Sequence, residues 1–299
     1  MHAMRLSIVF FVLLLPSWAA AQECTVTVLA SFYDQLTKEE IETLKTEDFD
    51  VKINGKILPV QSASRDFHNR LLILLETEGS AKNEKLADLV NTVTLQARQA
   101  PDGEPVAFGI FAEKSLFTKE FVADPEKRAA AVNAVIEEAG SMGKDLALWD
   151  ALHQALAVFG PHQPGDTVLL VGDPYDNASR HSGESVEKEF IANGTRLFVM
   201  RRTQGSRVDR DFLWSSHALE KMVLDRMTQE TGGLLSEYVP SLIRFAWAGY
   251  ILEFKVPPGT KRTHKWKVQF RGAAAEKHKK TNYYFPALLP RCQGAQAER

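Results

Sequence analysis

Apolar residues follow two rhythms along this chain. Leu71-Leu72-Ile73-Leu74-Leu75 and Thr167-Val168-Leu169-Leu170-Val171 are near-continuous runs, the mark of strands buried on both faces. Val106–Phe111 and Thr195–Met200 read as two more strands. Between them the apolar positions recur at helical spacing. Leu86, Leu89, Val90, Val93 and Ala97 form one stripe, and Leu148, Leu152, Leu156 and Phe159 another. A helix over 125–139 begins at Pro125, a favourable first-turn residue, and a shorter one covers 184–192. Leu219, Met222, Val223 and Met227 mark a long helix that Gly232-Gly233 ends. Strands alternating with helices predict a doubly wound, mostly parallel α/β sheet over 70–236, joined by right-handed crossovers.

The flanks change to period two. Thr25–Ala30 alternates as a strand, and Thr37 is placed to open a short helix through Glu40. Asp50–Val60 reads as a hairpin, because Asn54-Gly55 tolerates the positive φ of a tight turn. Tyr250–Val256, Lys265–Phe270 and Thr281–Phe285 read as three further strands. Neither flank is large enough for a stable sheet alone. The expectation is therefore one small β subdomain in which the segment 22–69 pairs with 237–299.

The first residues change the compartment. Arg5, the apolar run Leu6–Leu15, Pro16 and Ala19-Ala20-Ala21 have the layout of a signal peptide over 1–21, too short an apolar run to span a bilayer. Cleavage after Ala21 implies a secreted or periplasmic protein with no transmembrane segment left. Cys24 and Cys292, the two cysteines, then stand at the ends of the mature chain, where a disulfide between them is permitted. Two cysteines alone make no zinc site. A formal charge of −2 gives no general case for nucleic acid.

Several segments together resemble a known family. Leu36–Glu39, Thr46–Val51 and Asn54-Gly55-Lys56 look like its opening segment. Leu71–Ser80 looks like a first strand with its metal loop, and Ala147–Leu152 like the helix after the second loop. Val168–Asp173 with Asp176 and Ser179–Ser182 looks like the third loop, and Thr231-Gly232-Gly233 with Tyr250–Leu252 like the closing elements. The ordered series resembles the von Willebrand factor A (VWA)-related proteins of the acidobacterial type. The resemblance implies a Rossmann-like fold with a metal-ion-dependent adhesion site. There, hydroxyl and aspartate oxygens would hold a magnesium-type ion with one position open to a partner's carboxylate.

The ligand set departs from that pattern. Asp-x-Ser-x-Ser is here Glu76-Thr77-Glu78-Gly79-Ser80, and the threonine position falls on Leu146, which has no oxygen. Only Ser80 and Asp173 match. Glu76, Glu78, Ser80 and Asp173 therefore read as a degenerate site that holds no tight cofactor. An altered, more acidic site with weak magnesium or calcium, with Asp145 nearby, is the alternative. His153, His162, His181 and His217 show no ligand spacing, and His153 reads as a helix-surface residue. Ser182, His181 and Asp173 supply the types of a hydrolytic triad but lack a Gly-x-Ser-x-Gly elbow. Nine Lys/Arg between Lys255 and Lys280, against one acid, read as a solvated face or a surface for an acidic partner. Trp266, Tyr283, Tyr284 and Phe285 beside them read as core. The function expected is a non-catalytic binding or adhesion-type module with a protein or envelope-polymer partner. A periplasmic hydrolase and a purely structural envelope component are the alternatives.

Overall fold

The structure, a computed structural model, describes residues 24–37, 39–66, 69–77, 103–139, 142–172, 175–201, 218–236, 245–257 and 259–290. The α/β layer starts at β4 (Leu71–Glu76), after β1 (Cys24–Asp34), β2 (Phe49–Ile53) and β3 (Lys56–Ser64). It continues through β5 (Val106–Phe111), β6 (Ser115–Phe117), α1 (Pro125–Glu138), α2 (Leu148–Val158) and β7 (Thr167–Val171). Then come α3 (Gly183–Asn193), β8 (Arg196–Met200), α4 (Ala218–Thr231) and β9 (Leu235–Ser236). The chain ends in β10 (Tyr250–Val256), β11 (Trp266–Phe270), α5 (Gly272–Lys277) and β12 (Thr281–Tyr284). The expected stripe at 86–97 and Cys292 lie outside the described residues.

The unbroken apolar runs are buried on both faces, as a helix-covered parallel strand requires. Leu71, Ile73 and Leu75 of β4 face a core closed by Val132 and Val135 of α1. Leu72 and Leu74 face the opposite core, built with α2, α3 and α4. Asp124 caps α1 by accepting from the N–H groups of Glu126 and Lys127, and Gly194 ends α3 at φ 68. In α4, Val223, Leu224 and Met227 are buried, whereas Leu219 and Met222 are 69% and 63% exposed.

The flanking strands form a second sheet, ordered β11-β2-β3-β10-β1-β12 and antiparallel throughout. It has six strands, as many as the α/β sheet, so the architecture is two sheets rather than a plain doubly wound layer with a minor appendage. N-terminal and C-terminal strands interleave, with β10 between β3 and β1. Phe32, Phe49, Tyr250 and Phe270 meet in its core at ring separations of 5.1–5.9 Å. The hairpin turns at Asn54 (φ 49) and Gly55 (φ 88). Residues 35–37 form a turn, not the expected helix start. Asp34 Oδ1 accepts the N–H groups of Leu36 and Thr37 at 2.7 and 2.9 Å. Leu36 is 73% exposed, so no apolar face drives a helix there. The basic run is distributed over β10 to β12, where Lys267 stands opposite Lys52. Trp266 is buried, as expected, and Tyr283 packs on Phe32 and Phe270 while staying 36% exposed.

Candidate functional site

Strand order places the site. The α/β sheet runs β6-β5-β4-β7-β8-β9, with β6 antiparallel and the rest parallel. Counted from its own first strand this is 3-2-1-4-5-6, and the order reverses between β4 and β7. In open α/β sheets ligands bind beyond the carboxyl ends of the strands at that reversal. Glu76 ends β4, and Gly172 follows β7.

Glu76 is 2% exposed. A methyl group at Gly172 would sit 2.5 Å from its Oε2, so a glycine is required beneath this longer acid. Glu78, Ser80 and Asp173 lie outside the described residues. Leu146, in the threonine position, is buried in the core that includes Val135, Ala139 and Met142. Its N–H donates to Asn177 Oδ1 at 2.7 Å, and its carbonyl accepts from Asn177 and Ala178. Asp145 Oδ1 accepts from Asn177 Nδ2 at 3.0 Å.

The loop between β7 and α3 is locked to the start of α2. Ala147, the N-cap residue, offers no side-chain bond. Asp176 serves instead, accepting from Leu148 N–H at 2.8 Å and from the Ser179 hydroxyl at 2.5 Å. Ser179 Oγ in turn accepts from Asp150 N–H. Asp150 Oδ1 accepts the N–H groups of Arg180 and His181 at 3.0 and 2.9 Å, and the His181 imidazole at 2.7 Å. Burial pushes the Asp176 carboxyl up, against the bonds it accepts. Burial also pushes Asp150 up, but the bonds from His181 and Arg180 outweigh it and hold this carboxyl below its ordinary value.

The structure joins His153 to His181, which their separation in sequence concealed. The rings stack at 4.0 Å, and His153 Nδ1 lies 2.7 Å from Glu189 Oε2. Ser182 caps α3 by accepting from Ser185 N–H, so its hydroxyl is not directed at His181. The Thr195 hydroxyl meets His162 Nδ1 at 3.2 Å, and Asp166 approaches the same nitrogen at 3.5 Å. A carboxylate on that nitrogen cannot orient the ring as a base for the hydroxyl, and Thr195 is fully buried. Asp166 is instead held bidentately by Arg70, at 2.8 and 2.7 Å. Among the described residues no group of three or more His, Cys, Asp or Glu is placed to hold a metal ion. Nor is any helix among them long and apolar enough to cross a membrane.

Fold and site thus define a Rossmann-ordered α/β layer whose switch-point loop is tied to α2 by Asp176 of the loop and Asp150 of the helix. No family model and no curated protein matches the chain. Solved structures similar to it include von Willebrand factor A domains. One is described as a von Willebrand factor type A protein from Catenulispora acidiphila, 13% identical, covering 77% of this chain and 71% of that one, TM-score 0.47. BatB from Bacteroides thetaiotaomicron, described as a conserved hypothetical protein, is 11% identical over 60% of this chain and 95% of its own, TM-score 0.44. Proximal thread matrix protein 1 from the mussel byssus, described with a zinc-occupied MIDAS motif, is 15% identical over 67% and 50%, TM-score 0.46. Likeness at this level carries no conclusion about ligand or partner.

Proposed function

We propose that the chain is an exported, non-catalytic binding module of VWA type whose metal-ion-dependent adhesion site is degenerate. The observation that carries the reading is the engagement of the switch-point loop with α2 and the residues before it. Asp176 and Ser179 bond to each other and to the α2 start, Asp150 of α2 accepts from Arg180 and His181, and Asn177 bonds to Asp145 and Leu146. Leu146 contributes a core side chain where the adhesion site needs a hydroxyl. The described part of the ligand set therefore does not fit a magnesium-type ion, which demands near-octahedral oxygen. Non-catalytic action is supported by Ser182, which follows His181 and caps a helix, and by Thr195, which meets His162 but is fully buried. A protein or envelope-polymer partner is the reading for the carboxyl end of the parallel strands.

Calorimetric titration of chelator-treated protein tests it. Magnesium is expected to bind at millimolar strength or not at all, with weak calcium allowed. Micromolar magnesium affinity abolished by Asp173→Ala would show an intact adhesion site and defeat the reading. Export is tested by N-terminal sequencing, which should begin at Gln22.

A further inference from the structure

We propose that the cleft between the antiparallel sheet and the α/β layer binds a small zwitterion, an α-amino acid with a short aliphatic side chain. Its carboxylate meets Arg196 and Thr27, and its ammonium faces the carboxyl end of α3. The cleft has a volume of about 200 Å³, the space of about seven waters at ~30 Å³ each. Residues 27–29 of β1 line it from the antiparallel sheet. Residues 162–165, 191–194 and Arg196 line it from the α/β layer, and Pro286 and Pro290 complete the lining. No acid and no second Arg or Lys is among these residues. Burial holds the His162 imidazole below its ordinary pKa, so Arg196 is the one charge of the lining near neutrality.

Two polar atoms of the lining residues, Arg196 Nη1 and Thr27 Oγ1, are buried without a hydrogen-bond partner. Folded proteins leave few such atoms, and each calls for an unseen water, ion or ligand. Arg196 is 2% exposed. Its Nε donates to the Gly232 carbonyl and its Nη2 to Ser31 Oγ. Neither acceptor lines the cleft, and the planar fork carries Nη1 on the side away from the edge that Nε and Nη2 share. Among the described residues no carboxylate bonds to this guanidinium, and Glu40 acts on it only through space. A carboxylate is the partner whose geometry a guanidinium matches, and the Thr27 hydroxyl can donate to the same group. The other end of the lining has the opposite polarity. There α3 ends at Gly194, and the last-turn carbonyls of a helix lack partners within it and carry partial negative charge. A bare anion would be repelled at that end, whereas an α-ammonium supplies the donors it lacks. Leu29, Ile191 and Pro286 leave an apolar remainder for the side chain.

The experiment uses the mature protein with L-valine, L-valinamide, N-acetyl-L-valine and acetate as probes, in calorimetric titration and in melts followed by circular dichroism. One L-valine per chain at sub-millimolar affinity is expected, with a raised Tm, because a ligand held only by the folded state stabilises it. Removing the carboxylate charge in L-valinamide, or the ammonium in N-acetyl-L-valine, should weaken binding at least tenfold. Acetate should bind more weakly than L-valine. Ala192→Trp, at an exposed position of the lining, should block the cleft and abolish binding with the Tm of the free protein unchanged. Thr27→Val removes one donor and should weaken L-valine about threefold to tenfold. Arg196→Lys keeps the charge without the fork and should abolish binding; should it fail to fold, Ala192→Trp and Thr27→Val still decide. Absence of L-valine binding, equal binding of L-valinamide, or unchanged binding in Ala192→Trp would overturn the proposal and leave the two atoms to water.

Discussion

Asp150→Ala probes what holds the switch-point loop. One carboxylate oxygen accepts two backbone N–H groups and an imidazole, at 3.0, 2.9 and 2.7 Å. A hydrogen bond to a charged group contributes about 1.5–3 kcal/mol. The three share a single oxygen and the side chain is 19% exposed, so they do not add. We set the loss at about 2 kcal/mol, or a fall in Tm of roughly 4–8 °C for a domain of this size. Asp150→Asn keeps an acceptor and loses the charge, and should cost about 1 kcal/mol. The folded pKa of Asp150 is depressed, so its charge contributes stability above the ordinary carboxylate value near 4. That contribution disappears as the pH falls through the folded value. In melts followed by circular dichroism, the Tm gap between parent and Asp150→Asn should be constant from about pH 8 to 5 and should close below about pH 4. A gap under about 1 °C near neutrality, or one that persists in acid, refutes the reasoning.

Asp176 titrates with the opposite sign, because burial raises its folded pKa and its neutral form is the favoured one. Asp176→Asn, which still accepts from Leu148, should match or exceed the parent's Tm above pH 5 or so, whereas Asp176→Ala removes the α2 cap and should cost about 1 kcal/mol. Gly172→Ala should destabilise by about 1–3 kcal/mol, since the new methyl meets the buried Glu76 side chain at 2.5–2.7 Å; a Gly172→Ala, Glu76→Ala double variant should recover part of the loss. A Cys24–Cys292 disulfide is expected because Leu289 packs in the same core that Cys24 touches. Non-reducing peptide mapping should recover the two cysteines joined, and two free thiols in oxidised protein would exclude the bond.

How much was legible in sequence follows from what each signal depends on. Burial on both faces leaves a one-dimensional trace, so β4, β5, β7 and β8 could be read from their runs alone. The Asn54-Gly55 turn is a local steric requirement and was equally plain. The start at Thr37 failed because a cap was read without an apolar face behind it: Leu36 points to solvent and Asp34 closes the turn. β6 is three residues long and antiparallel at a sheet edge, with no period long enough to register. Of the four site residues read by resemblance, Glu76 stands at the end of β4, and Glu78, Ser80 and Asp173 lie outside the described residues. Asp176 is placed in the third loop by resemblance, but its capping of a helix that begins 28 residues earlier, at Leu148, leaves no trace in the sequence. The His153–His181 pair likewise exists only once α2 and α3 lie side by side.

The two sheets meet at the amino ends of the parallel strands, and this bears on which end is left to bind. Asn69, just before β4, donates to the carbonyl of Ala246 at 3.3 Å. Arg196, the first residue of β8, is 2% exposed and donates to Ser31 Oγ of β1 at 3.2 Å and to the Gly232 carbonyl at 3.3 Å. Ser31 Oγ itself donates to the carbonyl of Ala248 at 2.7 Å. Burial lowers the Arg196 pKa to about 10, still well above neutrality, so this is a charged clamp between the sheets. Burying a guanidinium is costly, and the bonds to Ser31 and Gly232 offset part of that cost at the junction. The antiparallel sheet is thereby fixed to the end of the α/β layer opposite the switch point. The carboxyl ends of β4 and β7, with Glu76, the tied loop and the histidine pair, are directed away from it. Among the described residues the switch point therefore stands at one end of the parallel sheet and the junction with the antiparallel sheet at the other.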